Sequence, residues 1–203
     1  MNKRLFFALN ATDPLSTTFL PTYKKLRINA DQKEMVVKWV PLENYHITVS
    51  FMGECPEENI PALSQALQDA CAQTQPFQLK IEDMGAFSSE HDARTLWLGV
   101  QNKKCLGEFK DLLDGILKER DLLTFIDKRD FKPHLTIARL RNPRSVKDML
   151  SPFKRKSFGK IQVHEIVLYE SKLAGAFPVY TPIFRAPLTG KPQEENLDEA
   201  VDF

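Results

Sequence analysis

The stretch YHITVSF at residues 45–51 decides the fold of this chain, together with the stretch FKPHLTIAR at residues 131–139. Both contain the tripeptide His-x-Thr, as His46-Ile47-Thr48 and as His134-Leu135-Thr136, and the two copies are 88 residues apart. In both stretches apolar and polar residues alternate, which predicts β-strands with one face against a core. Because residues i and i+2 of a strand point to the same face, each copy presents an imidazole beside a hydroxyl.

Strict alternation along these strands assigns each neighbouring side chain to one of two faces. On the first strand it groups His46 with Thr48 and Ser50, opposite Tyr45, Ile47, Val49 and Phe51. On the second strand it groups His134 with Lys132 and Thr136. Phe51 and Arg139 each come five residues after a histidine, so alternation places both opposite to the histidines unless the strands end or bulge first. Pro133 has no N–H to donate, which predicts a strand start or an edge at that point.

The two His-Thr pairs are suited to proton transfer around a phosphodiester. Histidine has a pKa near neutrality, so one imidazole can be protonated while another is neutral. An acid and a base on opposite sides of a phosphorus match an in-line displacement, and the hydroxyls of Thr48 and Thr136 can hold the non-bridging oxygens. A single copy would be interpreted as a solvated strand face, whereas two copies in similar contexts favour one shared site. The sequence has no zinc-type His/Cys spacing, and we expect neither a metal nor a cofactor.

The two halves of the chain resemble each other in the order of their elements. The apolar run LFFAL opens a strand at Leu5, and His46 follows 41 residues later. The run LWLGV opens a strand at Leu96, and His134 follows 38 residues later. This pattern predicts an internal duplication with an offset near 90 residues, which would relate the two His-Thr pairs by a pseudo-twofold axis.

Periodicity along the whole chain predicts a mixture of strands and helices. Strands are expected near residues 4–10, 36–40, 45–52, 77–83, 95–101, 131–139, 161–170 and 179–186. Helices are expected near residues 14–32, 56–74, 103–120 and 144–152. We assign residues 1–188 to a single bilobal domain.

Composition is that of a soluble globular protein, with 42% hydrophobic and 27% charged residues and a net charge of +1. Residues 189–203 carry one lysine against five acidic residues, a net charge of −4, so the rest of the chain is +5. We interpret this acidic segment as a flexible tail. Three cysteines without metal-type spacing indicate reduced thiols, and no apolar run is long enough to span a membrane. We therefore expect a cytoplasmic protein that acts as a monomer.

The paired motifs, within YHITVSFMGE and FKPHLTIARL, resemble those of the two-histidine (2H) phosphoesterases. More narrowly, they resemble the RNA 2′,3′-cyclic phosphodiesterases, historically called 2′-5′ RNA ligases. The resemblance extends to about residue 188 and includes LFFAL, RTLWLGV and LYESKLAGAFPVYTPIF. It implies an α+β fold in which two antiparallel sheets meet about a pseudo-twofold axis and form a cleft, with helices outside.

The resemblance also implies a reaction and a role for each site residue. RNA ending in a 2′,3′-cyclic phosphate would be hydrolysed to a 2′-phosphomonoester, with His46 as proton donor to O3′ and His134 as proton acceptor from water. Thr48 and Thr136 would hold the phosphate. Substrate-binding positions would be Arg139, which binds phosphate, and Phe51, which stacks on the terminal base. Lys132 is a further candidate for contact with the RNA backbone.

Three other functions stay open on the sequence alone. The first is an ATP-independent 2′-5′ RNA ligase, because the reverse reaction needs the same residues. The second is a phosphodiesterase that acts on 2′,5′-oligoadenylates or small cyclic phosphates. The third is a module that binds RNA ends without turnover, which the retention of both histidines and both threonines disfavours.

Overall fold

The computed structural model describes residues 1–122, 130–175 and 177–191, and in these ranges the chain forms nine β-strands and five α-helices. The strands are β1 (Asn2–Asn10), β2 (Val37–Trp39), β3 (His46–Pro56), β4 (Phe77–Ser88), β5 (Ala93–Gln101), β6 (His134–Arg144), β7 (Ser157–Val163), β8 (Glu165–Ala174) and β9 (Phe177–Pro187). The helices are α1 (Thr12–Thr18), α2 (Leu20–Gln32), α3 (Ile60–Ala72), α4 (Lys104–Glu119) and α5 (Lys147–Leu150). Short 3₁₀ turns cover Leu42–Asn44, Glu57–Asn59 and Ser151–Phe153.

Two predicted elements are each divided in the structure. The helix expected near 14–32 is split at Phe19, because Pro21 belongs in the first turn of a helix and starts α2 there. The strand expected near 161–170 is split at His164, where the chain passes from β7, which pairs with β4, to β8, which pairs with β1 and β9. β6 starts directly after Pro133, as predicted from the missing N–H of this proline.

The strands form one continuous antiparallel sheet in the order β7-β4-β5-β6-β3-β1-β8-β9, and β2 pairs with β6 beside this path. The sheet is curled into a half-barrel, and the α+β class is confirmed. The two antiparallel sheets that we expected are the two halves of this one sheet, because β3 and β6 join them through the pair Ile47–Leu135. Beyond that pair, β6 is paired with β2 and β3 is paired with β1, so β3 and β6 separate from each other.

The main hydrophobic core lies on the face of the sheet that the helices cover. Ile47 and Leu135 are fully buried in it, together with apolar residues of α3 and α4. On α4, Asp114 accepts a hydrogen bond of 3.0 Å from the hydroxyl of Ser50 and also pairs with Lys110, which ties the helix to β3. Among the described helices, none is long and apolar enough to cross a membrane.

The opposite face of the sheet carries a second, smaller apolar cluster. Phe6, Ala8, Val167 and Tyr169 form it, and Phe51 and Tyr180 pack against it. These residues lie on β1, β3, β8 and β9, which make up one half of the sheet. In the other half, the indole of Trp97 lies directly over Gly85, where an added Cβ would come within 2.3 Å of the ring.

The acidic segment expected to be a flexible tail is only partly described. The backbone N–H groups of Thr189 and Gly190 donate to the carbonyl oxygens of Cys71 and Thr74, so the chain follows the end of α3 as far as these residues. Residues 192–203 lie outside the described part of the chain, and their flexibility stays a prediction.

Gly85→Ala should destabilise the fold by about 1–3 kcal/mol, because the new methyl group must displace a half-buried indole from a packed site. Gly107→Ala is the matched control: apart from its chain neighbours and the backbone of its own helix, no atom lies within 4 Å of the added carbon, and the residue is inside α4. This control should gain about 0.4–1 kcal/mol from the reduced freedom of the unfolded chain. Urea unfolding measures both changes, and equal stabilities for the two variants would contradict the close packing of Trp97.

Candidate active site

The two His-Thr motifs meet at the residue pair that joins the halves of the sheet. Ile47 of β3 is paired with Leu135 of β6, and these are the central residues of the two tripeptides. Antiparallel pairing at this point places the first histidine opposite the second threonine, and the first threonine opposite the second histidine. Because Ile47 and Leu135 both point into the core, the four polar side chains all emerge on the other face.

The four polar side chains surround one point on that face. His46, Thr48, His134 and Thr136 are all partly exposed. His46 and His134 are diagonal neighbours in the antiparallel ladder, for which residues are roughly 7–8 Å apart and their Cβ atoms somewhat closer. A tetrahedral phosphate can occupy the space between two imidazoles at that separation. The structure thus brings together the four residues that the sequence predicts to act jointly.

A β-bulge follows each His-Thr motif and changes which residues share the cleft face. Opposite β1, Ala8 pairs with Thr48 and Phe7 pairs with Ser50, so Val49 is the extra residue. Opposite β5, Trp97 pairs with Thr136 and Leu96 with Ala138, so the second bulge is at the equivalent place. The bulges reverse the alternation beyond them, and residues i, i+2 and i+5 then point the same way.

This reversal changes the faces that strict alternation assigns to Ser50, Phe51 and Arg139. Ser50 is not on the face of His46: it is buried on the core side, where it contacts Asp114. Phe51 lies on the cleft side, since it packs against the cluster that contains Phe6. Arg139 is exposed beyond the second bulge and is close enough to His46 to influence its titration. Both residues at i+5 therefore belong to the same face as the histidines.

The two histidines are oriented by the same local hydrogen bond. The Nδ1 atom of His46 is 2.7 Å from the carbonyl oxygen of Asn44, and the Nδ1 atom of His134 is 2.7 Å from the carbonyl oxygen of Lys132. A carbonyl oxygen only accepts, so Nδ1 carries the hydrogen in both rings. The Nε2 atoms are thereby left to exchange protons with a substrate, as a base when neutral and as an acid when protonated.

Burial is the largest influence on the acidity of His46, and it lowers the pKa of the imidazole below the ordinary value of 6.5. The hydrogen bond to Asn44 opposes this change, because it stabilises the protonated ring. The positive charges of His134 and Arg139 lower the pKa further. The free site therefore favours the neutral form of His46, and a bound anion would favour the protonated form.

Aromatic rings pack around both histidines. The ring of His46 makes an edge contact with Tyr180 at a centroid distance of 4.9 Å and a tilted contact with Phe6 at 5.2 Å. The ring of His134 makes an edge contact with Phe87 at 4.9 Å, and Phe87 in turn lies 5.5 Å from Trp97. These contacts restrict the rotation of each imidazole about its hydrogen bond to the backbone.

Two guanidinium groups lie near aromatic rings of the cleft. The guanidinium of Arg4 is 5.0 Å from the centre of the Phe51 ring. Arg4 and Arg139 both counteract the effect of burial on the pKa of Tyr180, which is raised, so both charges are near that phenol. Lys132 is exposed just before β6, where its carbonyl oxygen holds His134; its role as an RNA contact stays a prediction.

Sequence reasoning missed several residues of this site. Phe6, Phe87 and Arg4 lie on strands whose sequence pattern carries no sign of a functional site. Their proximity to the cleft depends on which strands are neighbours in the sheet. Asn44 could have been found, because it stands two residues before His46 as Lys132 stands before His134.

The chemistry available in the cleft is acid–base catalysis on an anionic centre. Within the described residues, no group of three or more His, Cys, Asp or Glu side chains is placed to hold a metal ion. Two imidazoles can supply and remove a proton on opposite sides of a bound group. The two threonine hydroxyls can donate hydrogen bonds to the remaining oxygens of that bound group, and a guanidinium can compensate their negative charge.

Comparison with known proteins identifies the family of this chain. The family model described as the 2′-5′ RNA ligase superfamily matches residues 21–174. The RNA 2′,3′-cyclic phosphodiesterase of Archaeoglobus fulgidus is 32% identical over 179 residues, which cover 87% of this chain and 96% of that protein. The RNA 2′,3′-cyclic phosphodiesterase of Methanocaldococcus jannaschii is 28% identical and covers 89% of this chain and 98% of its own length.

Solved structures share the fold. The crystal structure of the protein TT0787 from Thermus thermophilus superposes with a TM-score of 0.77 at 24% identity, over 93% of this chain and 99% of that one. The crystal structure of E. coli LigT complexed with 3′-AMP has a TM-score of 0.74 at 26% identity, with the same coverage. With its two His-Thr pairs, the matched family model and the relative above 30% identity, the chain belongs to the 2′-5′ RNA ligase superfamily of 2H phosphoesterases.

Proposed function

We propose that this protein hydrolyses the 2′,3′-cyclic phosphate at the end of an RNA to a 2′-phosphomonoester, without a metal. The observation that carries the proposal is the meeting of two His-Thr pairs at the residue pair Ile47–Leu135. In that arrangement the two imidazoles lie diagonally across the strand pair, and the two threonine hydroxyls occupy the other diagonal. The naming of several relatives at about 30% identity as RNA 2′,3′-cyclic phosphodiesterases supports the same substrate class.

In the proposed reaction, a water oxygen attacks phosphorus and gives its proton to Nε2 of neutral His134. The bond from phosphorus to O3′ breaks in line with the attack, and O3′ takes a proton from Nε2 of protonated His46. The hydroxyls of Thr48 and Thr136 donate to the non-bridging oxygens, where negative charge increases in the transition state. The product keeps the phosphate on O2′, and proton exchange with solvent restores both imidazoles.

Binding of the substrate is what prepares His46 for the donor role. In the free site, burial and the nearby positive charges favour the neutral ring. A cyclic phosphate brings a negative charge between the histidines, and this charge stabilises a protonated imidazole. A donor with a lowered pKa also releases its proton readily. The exchanged assignment, with His134 as donor to O2′, would produce a 3′-phosphate from the same cleft.

Phe51, Arg139 and Lys132 complete the proposed site. Phe51 would offer a ring to the terminal base, with the guanidinium of Arg4 stacked on that ring. Arg139 would bind phosphate oxygens, since its exposed guanidinium is near both His46 and Tyr180. Lys132 would contact the RNA backbone from the start of β6.

We also propose that the two halves descend from a duplicated unit. The strand orders β3-β1-β8-β9 and β6-β5-β4-β7 run outwards from the junction, and each innermost strand carries one His-Thr pair followed by a bulge. Both histidines also bond to the carbonyl oxygen two residues earlier. Since one chain supplies all four polar groups of the cleft, we propose a monomeric enzyme, acting in the cytoplasm.

The direct test is the position of phosphate in the product. An oligoribonucleotide with a 2′,3′-cyclic phosphate should be converted to a 2′-phosphate, which resists a 3′-specific phosphatase and is resolved by chromatography. A 3′-phosphate would show that O2′ is the leaving group, and the donor and acceptor roles of His46 and His134 would then have to be reassigned. A protein that binds the oligonucleotide without turnover would instead be an end-binding module. Faster cleavage of 2′,5′-linked adenylates than of the cyclic phosphate would identify that alternative substrate class.

His46→Ala and His134→Ala should each remove nearly all turnover, because each lacks one proton-transfer partner. Thr48→Ala and Thr136→Ala should reduce kcat/KM by about 10- to 100-fold, as expected for one lost hydrogen bond to the phosphate. His164→Ala is the matched control, since this exposed histidine lies between β7 and β8. Turnover near the unaltered rate in either variant of His46 or His134, with folding verified by circular dichroism, would refute the mechanism.

NMR titration of the imidazole of His46 should give a midpoint below the ordinary 6.5 in the free protein. His134→Gln and Arg139→Gln should each raise this midpoint, because each removes a positive charge that disfavours protonation. The midpoint should stay below 6.5 in both variants, since burial is the largest cause and persists. A fall of the midpoint in either variant would show that the two groups do not interact with His46 as described.

A further inference from the structure

Exposed cations continue along β6 beyond the catalytic cleft. Leu140 is buried between Arg139 and Arg141, so both arginines point away from the core, on the same face as His134. The guanidinium of Arg139 lies 3.5 Å from the hydroxyl of Thr95 on β5, and Arg141 is two residues farther from the histidine. This row of cations therefore begins at the catalytic cleft and leads away from it.

Lys38 of β2 adds a third cation to the row. It is paired directly with Arg139 across the strands, and its neighbours Val37 and Trp39 pack against the main core. Lys38 therefore points to the cleft face beside Arg139, because side chains directly opposite each other share a face and have Cβ atoms roughly 4.5–5.5 Å apart. Lys38, Arg139 and Arg141 together form an exposed basic strip.

The protein does not compensate the charges of the basic strip with ion pairs. Among the residues that the structure describes, no carboxylate is ion-paired with any of its three members. Another pair of directly opposed cations, Lys80 and Lys160, differs, because Lys80 is ion-paired with Glu82. Like charges directly opposite each other destabilise a sheet, so the pair Lys38–Arg139 favours an anion bound beside it.

A polyanion that starts at the reacting phosphate fits the basic strip. An RNA that ends in a 2′,3′-cyclic phosphate has all its other nucleotides on the 5′ side, and each of them adds a phosphate. Because β3 and β6 are antiparallel, β6 leads from the junction towards Arg141 in the direction opposite to that in which β3 leads towards Phe51. The terminal ribose carries its base at C1′ and the rest of the chain at C5′. The base and the chain can therefore leave the reacting phosphate in these two directions.

We propose that the basic strip binds backbone phosphates of the nucleotides that precede the cyclic end. The proposal rests on the function proposed above, in which Arg139 binds the reacting phosphate, and it assigns the internal phosphates to Lys38 and Arg141. The enzyme would therefore act better on oligonucleotides than on nucleoside 2′,3′-cyclic phosphates. This preference would be for chain length and not for base sequence, because phosphate contacts carry no direct sequence information.

The test compares uridine 2′,3′-cyclic phosphate with a pentauridylate that ends in the same group, at KCl concentrations between about 50 and 200 mM. Each phosphate contact to a single strand contributes about 0.7 to the slope of log affinity against log salt concentration. Contacts from Lys38 and Arg141 therefore predict that the ratio of kcat/KM, pentanucleotide to mononucleotide, falls about 7-fold across this range. The contact of Arg139 with the reacting phosphate is common to both substrates and cancels in the ratio.

Lys38→Gln and Arg141→Gln should each reduce this fall to about 3-fold, because each variant loses one phosphate contact. Lys160→Gln is the matched control: it removes the same charge from an exposed position on β7, at the far edge of the sheet, and the fall should stay at about 7-fold. Thermal unfolding verifies the fold of each variant. Lys38→Gln should unfold at the same or a higher temperature than the unaltered protein, because it removes a repulsion within the sheet.

The outcomes separate this proposal from the proposed function. A ratio that does not change with salt in the unaltered protein would overturn the basic strip as a phosphate site and leave the hydrolase intact. An equal effect of Lys160→Gln would show that RNA responds to the net charge of the protein, and this result would also overturn the strip.

If the folded protein hydrolyses neither substrate, the proposed function fails, and fluorescence anisotropy with a labelled pentauridylate tests the strip separately. Weaker binding in Lys38→Gln and Arg141→Gln than in Lys160→Gln would support the strip. Equal binding by all three variants would overturn it.

Discussion

The site depends on the pairing of two residues on neighbouring strands. Ile47 and Leu135 join the two halves of the sheet, and both are buried at the centre of their tripeptides. A shift of one residue in this register would turn one His-Thr pair into the core and its apolar neighbour into the cleft. Burial of Ile47 and Leu135 in the apolar core therefore also fixes the direction in which the four polar side chains point.

The bulges after the two motifs show how far along each strand the alternation of faces holds. The position of both His-Thr pairs on one face follows from alternation, which holds as far as Thr48 and Thr136. Beyond these residues the bulges reverse the faces, and no turn residue or proline marks them in the sequence. The extra residue in each bulge explains why Phe51 and Arg139, five residues after the histidines, lie on the same face as the histidines.

Tertiary contacts account for what else the sequence could not predict. Most strands and the longer helices follow from periodicity and proline placement, as Pro133 and Pro21 illustrate. The division at His164 and the joining of the halves into one sheet depend on which strands become neighbours, and this information lies far apart in the chain. The aromatic rings around the histidines come from β1, β4 and β9, and their approach is a property of the assembled sheet.

Asn44 connects two parts of the molecule that are far apart in the sequence. Its side-chain amide donates a hydrogen bond of 2.9 Å to the carbonyl oxygen of Pro178 on β9, and its own carbonyl oxygen holds the ring of His46. The β8–β9 hairpin is thus mechanically linked to a catalytic candidate. If this hairpin were replaced with that of a relative in order to alter RNA preference, the orientation of His46 would be disturbed. The turn that contains Asn44 would have to be replaced together with the hairpin.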